Sequence, residues 1–469
     1  MCPVAFRLAA LWRFGIIPEW CAKVRPHRRA GTRQGSQMAM QRRTFLGMLT
    51  TSLAAGCARQ EPVAEVRPQG RRRPQAAPPP AAGDWPWWRG PTLDGKGEGQ
   101  PPLRWSRNEN VLWRTPIPGR GHASPVVGGG LVYLLTAEEK SQQIRLLAVD
   151  RNTGGVQWNT LLHEGGFIHR HEKNSHASAT PAFDGRRVYC VAAVQDAVWV
   201  TAVDADGRIV WQQQAGPFAS QHGYGSSPVI YGELVIVAAD QDGPGYLAAF
   251  DRARGRLVWR VRRYESPSYA TPIVLRVAGR DQLLLAGCAK TAAYDPATGE
   301  LLWYCEGPSQ VAACTMCAQG DLVVSSGGYP EKRLLCIRAD GRGDVSASHV
   351  VWSTDQAVTY VPSPLIHDGL LFVVNDGGVA ACWSLEDGKT RWRQRLGGNF
   401  SASPVLAGGH IYAADETGTT YVFKALGTYE EVAQNVLPEG QFATLAVCGR
   451  ELYLRTTEAV YAIGHAPAT

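Results

Sequence analysis

From about residue 111 onward the chain alternates short apolar runs with clusters of Gly, Pro, Asp and Ser. Runs such as Leu131 to Leu135 and Leu234 to Ala238 are four to six residues long and rich in branched side chains, the signature of strands bounded by turns. Five segments share one grammar. In them Ala148/Asp150, Ala202/Asp204, Ala249/Asp251, Ala293/Asp295 and the weaker Cys382/Ser384 precede Gly154, Gly207, Gly255, Gly299 and Gly388, and a Trp follows each Gly by four. In the first four the Asp caps a tight turn whose Gly takes positive φ, and in all five the next strand carries the Trp. A second landmark lies upstream: Ser124-Pro125, Thr180-Pro181, Ser227-Pro228, Thr271-Pro272, Ser363-Pro364 and Ser403-Pro404. The gaps between these are 56, 47, 44, 92 and 40 residues, and the 92 resolves into two repeats if Thr315-Met316 is a degenerate member. Thr444-Leu445 supplies an eighth start.

A repeat of this length with four short strands is a propeller blade, since one small sheet cannot bury both faces and must stack against its neighbours. The expected fold is therefore an all-β, eight-bladed β-propeller over residues 101–465, with seven blades as the alternative. Trp113, Trp158, Trp211, Trp259, Trp303, Trp352 and Trp392 are its docking tryptophans. Loss of one such buried ring should cost about 3–5 kcal/mol. Val111 to Trp113 forms a tryptophan strand with no strands before it, and Leu452 to Leu454 with Ala459 to Ala462 form strands with none after them. Blade eight is expected to be stitched from both, removing exposed sheet edges.

Composition sharpens this. Apolar residues are 45% and charged residues 19% of the chain, which excludes a disordered polymer. The net charge of +7 suggests an anionic partner until its location is considered. Nine Lys/Arg against one acid fall in residues 1–57, and five against two in residues 58–83. Residues 84–469 are thus mildly acidic, and nucleic acid is not an expected partner.

Arg42-Arg43, the apolar stretch Leu46 to Ala55 and Cys57 read as an export signal, too short to span a bilayer. The stretch resembles a twin-arginine signal joined to a lipoprotein processing site, which implies lipidation at Cys57. A cleaved ordinary signal is the alternative. Residues 1–37 are expected to come from an over-long start. Residues 58–83, rich in Pro, Ala and Arg, are expected to form an extended tether of at most about 80–90 Å. Residues 84–100 are expected to dock on the outside of the propeller. The expected location is periplasm-facing, as an outer-membrane lipoprotein or as an exported protein whose only membrane contact is the anchor.

The Ala-x-Asp-x-x-Thr-Gly-x-x-x-Trp unit resembles the tryptophan-docking repeat of the quinoprotein, or PQQ-like, β-propellers, over about residues 84–465. That superfamily includes PQQ-dependent alcohol dehydrogenases and the BamB-like barrel-assembly lipoproteins. Trp87-Trp88-Arg89-Gly90-Pro91 and Lys173-Asn174-Ser175 are similar to segments of a branch abundant in planctomycetes. The repeat specifies fold, because its Asp, Gly and Trp are structural.

Candidate chemistry is sparse. The enzymes of the superfamily use a Ca²⁺, a catalytic aspartate and a disulfide between adjacent cysteines, and no Cys-Cys pair occurs here. Cys314 and Cys317 are followed by Ala318, so they are not a haem-attachment motif. They mark either a strand start of small residues or a disulfide or soft-metal site drawing on Cys288, Cys305 or Cys336. His163, His169, His171 and His176 lie on one long connection and could ligate zinc or copper, or form a solvated loop. Residues just before the Ser/Thr-Pro pairs should converge on the channel mouth: His122, Ser178, His222, Tyr224, Tyr269, Cys314, Tyr360, Asn399, Phe400, Gln441 and Phe442. Such a surface suits a peptide, a glycan or an aromatic small molecule. The leading functional expectation is a non-catalytic binding or scaffold propeller of the cell envelope, with envelope proteins or a small ligand at its mouth and no cofactor. The alternative is a periplasmic PQQ/Ca²⁺-dependent dehydrogenase with a diverged site.

Overall fold

The computed structural model of the chain describes residues 63–68 and 80–465, and among them every regular element is a strand. Arg42, Arg43 and Cys57 lie outside the described residues. The strands form eight sheets, each with four antiparallel blade strands and two with one added parallel strand, arranged radially as an eight-bladed propeller. Blades 1 to 7 occupy residues 126–164, 182–217, 229–262, 273–306, 317–354, 365–395 and 405–436. Blade 8 combines Ala446–Cys448, Glu451–Arg455 and Ala459–Ile463 with Val111–Pro116 from the other end of the chain. Trp113 pairs with Ala462 and Thr115 with Val460, the stitched closure the repeat count requires.

Burial follows position in the blade. A middle strand such as Leu234–Gln241 is buried at every residue because both its faces meet other blades. The rim strand Val111–Pro116 alternates half-buried and exposed. Between blades lie the tryptophans. Asp150 Oδ1 accepts the amides of Asn152 and Thr153 at 3.0 and 2.8 Å, and Gly154 closes the turn with φ 73°. A Cβ at Gly154 would stand 2.8 Å from the Trp113 ring, so only Gly admits both that φ and that approach. The indole N–H of Trp113 donates to Arg151 O, that of Trp158 to Ala205 O and that of Trp211 to Arg252 O, at 2.9 to 3.0 Å. Trp259 and Trp303 are fully buried, and Trp352 and Trp392 repeat the contact at 2.8 and 2.9 Å.

The Ser/Thr-Pro landmarks have a physical reason. The backbone N–H of Ser124 donates to Thr180 Oγ1, Thr180 to Ser227 Oγ, and Ser227 to Thr271 Oγ1. The series resumes from Thr315 to Ser363, Ser403, Thr444 and back to Ser124, all at 2.9 to 3.1 Å. Seven of eight blade junctions among the described residues thus share one buried hydrogen bond around the axis. At the junction of blades 4 and 5, Thr315 Oγ1 instead accepts Trp88 Nε1 at 2.8 Å.

One expectation about the leading segments is corrected and a second is narrowed. Residues 84–100 do not sit on the outside. Trp85 pairs with Val127 of blade 1, and Lys96–Gly97 runs parallel to Val405–Ala407 of blade 7. Arg89, 1% exposed, donates to the carbonyls of Pro364 and Pro404 on the innermost strands. The segment therefore closes the channel end opposite the mouth, because unpaired inner-strand carbonyls there accept a guanidinium. Of the segment expected as an extended tether the structure describes residues 63–68 and 80–83, and there Val66 exchanges backbone hydrogen bonds with Arg260 at 2.9 and 2.8 Å and Val63 is buried. The rim strand Leu257–Arg262 offers unpaired edge groups, and these residues cover them.

Candidate functional site

Each blade's chain enters at one end of the channel, passes the Ser/Thr of the hydroxyl ring and becomes the innermost strand. That end widens into a funnel of about 1120 Å³, whose far end is closed by Trp88. The residue two before each ring hydroxyl faces the funnel in all eight blades: His122, Ser178, Gly225, Tyr269, Ala313, Val361, Ser401 and Phe442. Extended chain presents alternate residues to one side, so this position shares its face with the hydroxyl.

His122, Ser178, His222, Tyr269, Tyr360, Asn399 and Phe400 all line the funnel, as expected from their sequence positions. Tyr224 and Gln441 do not. Both stand three residues before the ring hydroxyl, a position from which Tyr360 and Phe400 do reach the funnel, so the packing of Tyr224 and Gln441 and not the offset turns them away. Tyr224 is buried with its hydroxyl on Ala238 O at 2.9 Å, and Gln441 is 0% exposed. Cys314, one residue before Thr315, is also turned into the blade, its thiol on Ser326 O.

The connection between blades 1 and 2 folds over the mouth. Arg120 donates to Glu172 O, and His122 N and Ala123 N donate to Ala177 O. Asn174 Nδ2 donates to His222 O at 2.7 Å, and Lys173 Nζ reaches Glu416 of blade 7 at 3.2 Å, an ion pair across the opening. His122 stacks on Phe442 at 4.6 Å, and its pKa is lowered to about 3 by burial and by Arg120, Arg455 and Arg170. It is therefore a neutral imidazole.

The four histidines of that connection are not brought to one point. His163 packs edge-on to Trp199, with its pKa lowered to about 4 by burial. His169 is exposed. His176 stacks on Phe167 at 3.8 Å with Nε2 on Ile168 O. His171 stacks on His222 at 5.6 Å, and His222 Nδ1 lies 3.0 Å from the Tyr269 hydroxyl. Among the described residues no three His, Cys, Asp or Glu converge as metal ligands. Cys288, Cys305, Cys314, Cys317 and Cys336 are buried free thiols, and burial raises the Cys314 pKa to about 12.

The funnel also holds residues that sequence reasoning missed: Trp88, Lys173, Asp242, Asp376 and Glu416. The acids follow the second strands of blades 3, 6 and 7, which run back to the mouth. Their signal was an acid after an apolar run. Asp376 accepts the amides of Tyr360 and Val361 at 2.7 and 3.0 Å, and burial raises its pKa against the pull of those amides. Asp242 accepts the Gln221 amide, and Glu416 accepts the Ser401 hydroxyl. These carboxylates stand on three different blades and do not form a Ca²⁺ ligand set. PQQ is a tricarboxylate, and the funnel offers three carboxylates with one ammonium already paired to Glu416. The residues present do not fit that group.

An eight-bladed propeller with tryptophan-docked blades and a funnel at one pole is the architecture of the PQQ-type repeat proteins. The chain belongs to the family described as outer membrane protein assembly factor BamB, whose model matches residues 106–167, 145–342 and 335–429. It is 26% identical over 230 residues to the outer membrane protein assembly factor BamB of Bordetella pertussis, a match spanning 47% of this chain and 55% of that protein. The match thus takes in only about half the length of that curated relative. Among solved structures, BamB from Moraxella catarrhalis is similar at TM-score 0.53, with 14% identity, covering 75% of this chain and 99% of that one. A europium-containing methanol dehydrogenase aligns at TM-score 0.57, 10% identity, 80% and 90% coverage. The quinohemoprotein alcohol dehydrogenase of Comamonas testosteroni aligns at 0.56, 13%, 82% and 81%. At these identities the structural likenesses establish fold alone.

Proposed function

We propose that this protein is a non-catalytic binding propeller of the cell envelope that holds a partner, an envelope protein or a small ligand, at its funnel. The observation that carries this reading is the funnel itself: wide, lined by aromatic rings and hydroxyls, with its carboxylates dispersed over three blades rather than gathered into a ligand set. Membership of the BamB family supports a scaffold role. The quinoprotein structures share the fold, and the donor set of the funnel argues against the dehydrogenase reading. Pull-down from envelope extracts should recover protein partners, and replacing His222, Tyr269 and Tyr360 together by alanine should abolish that recovery. Unchanged recovery would remove the funnel from the interaction. Tight binding of added PQQ and Ca²⁺ with dye-linked alcohol oxidation would overturn the non-catalytic reading.

The location proposed is the periplasm, with anchoring through Cys57 on the route marked by Arg42 and Arg43. Two or more acyl chains make release negligible where one is marginal. Cys57→Ser should move the protein from membrane pellets to a soluble exported fraction. Wild-type protein already soluble outside the cytoplasm would show ordinary secretion.

A further inference from the structure

The rim of the funnel is electrostatically divided. On the side of blades 1 and 2 stand Arg120, Arg170 and Lys173, two of which are taken by Glu139 and Glu416. On the side of blades 3 to 6 stand Asp242 and Asp376 with Tyr269, Tyr329 and Tyr360. Among the described residues neither Asp242 nor Asp376 takes part in an ion pair, although Lys332 is near enough to influence Asp376. The hydrogen bonds that Asp376 accepts come from two backbone amides, which leaves half of its lone-pair directions open. Tyr329 is 61% exposed, an unusual state for a large aromatic ring. A Cβ on the neighbouring Gly328 would stand 2.4 Å from the Tyr360 side chain, so that position leaves room for the ring beside Tyr329.

Ligand classes can be separated by charge. An anion is opposed by both carboxylates. A neutral glycan could stack on the tyrosines but would leave both charges uncompensated. A cation is attracted by the carboxylates and by the faces of the rings together. Asp242 and Asp376 stand three blades apart, so one small ion cannot serve both, whereas two cationic groups on one flexible ligand can.

We propose that the blade 3 to 6 wall of the funnel is a recognition site for paired organic cations, the basic side chains of a polypeptide segment entering the mouth. One ammonium or guanidinium lies against Tyr329 and Tyr360 beside Asp376, and the second against Tyr269 beside Asp242. The inference rests on the binding reading above and specifies the chemistry of that same site.

The test is calorimetric titration of the full chain with a capped dilysine peptide, its diglutamine and diglutamate counterparts, and spermidine. The dilysine peptide should bind at least tenfold more tightly than diglutamine, diglutamate should not bind, and affinity should fall with added salt. Tyr329→Ala should weaken the dilysine peptide about two- to fivefold while Tyr329→Phe leaves it unchanged, since the ring and not the hydroxyl carries the attraction. Asp376→Asn should weaken it about fivefold. Tyr329 is exposed, so its variants remain informative if Asp376→Asn unfolds the loop it caps. Equal affinity for dilysine and diglutamine overturns the proposal, as does indifference to both substitutions. Binding of spermidine without the peptide overturns the polypeptide source. Partners recovered from envelope extracts in the absence of dilysine binding would sink this inference alone, whereas dilysine binding without any recovered partner would sink the scaffold reading.

Discussion

His122 shows how one residue reads the whole mouth. It precedes Ser124 by two, stacks on Phe442 of the neighbouring blade and is surrounded by Arg120, Arg170 and Arg455. Burial and those cations lower its pKa from 6.5 to about 3, so between these values the unfolded chain binds a proton that the folded chain does not. Stability from this group is therefore complete above pH 6.5 and is lost as pH falls towards 3. His163, lowered to about 4, acts in the same direction. The thermal midpoint should decline on acidification from pH 6.5 to 4, and His122→Gln, which keeps a neutral polar side chain, should make that decline shallower. An identical pH profile in the variant would show that folding does not lower the proton affinity of His122.

At the scale of elements, the hydroxyl ring turns a sequence landmark into a joint. Thr180→Val keeps the shape of the side chain but leaves the buried Ser124 amide without an acceptor, at a cost of about 1–3 kcal/mol. Thr315→Val removes the acceptor of Trp88 Nε1 instead. Its effect should be concentrated in residues 84–100, seen as faster proteolysis there, with a smaller shift of the denaturation midpoint than Thr180→Val. Equal midpoint shifts without local proteolysis would show that the Thr315 hydroxyl supports the ring and not residues 84–100. The same joints explain what the chain disclosed in advance. Repeated features, five tryptophan turns and six Ser/Thr-Pro pairs, were legible because several copies average out local variation. Funnel residues were legible from their place just before the Ser/Thr-Pro pairs, which placed Tyr269, His122, Tyr360 and Phe400 but misplaced Tyr224 and Gln441. Trp88 and Arg89 were legible as a motif and not as a channel closure, because a single unrepeated segment carries no register to say which face it meets.

At the scale of the molecule the question is what makes eight sheets one body. Blade 8 joins the two ends of the ring through Ala459–Ile463, which pairs on one side with Val111–Pro116 and on the other with Glu451–Arg455. Val460, Tyr461, Ala462 and Ile463 are at most 1% exposed and belong to one apolar cluster with residues of blades 7 and 1. Residues 84–100 clasp the same joint from below, reaching Val127 of blade 1 and Leu406 and Ala407 of blade 7. A closed ring has no terminal blade, so no sheet can unfold without breaking two interfaces; an open array frays from its ends. Ending the chain after residue 457 deletes Ala459–Ile463 and opens the ring. The single denaturation transition expected of the full chain should then broaden. Amide exchange should become fastest in blades 1 and 7 and stay slowest in blade 4, diametrically opposite the break. A truncated chain that keeps one sharp transition, or a full-length chain that already exchanges blades 1 and 7 ahead of blade 4, would show that cooperativity comes from the individual blade interfaces and not from closure.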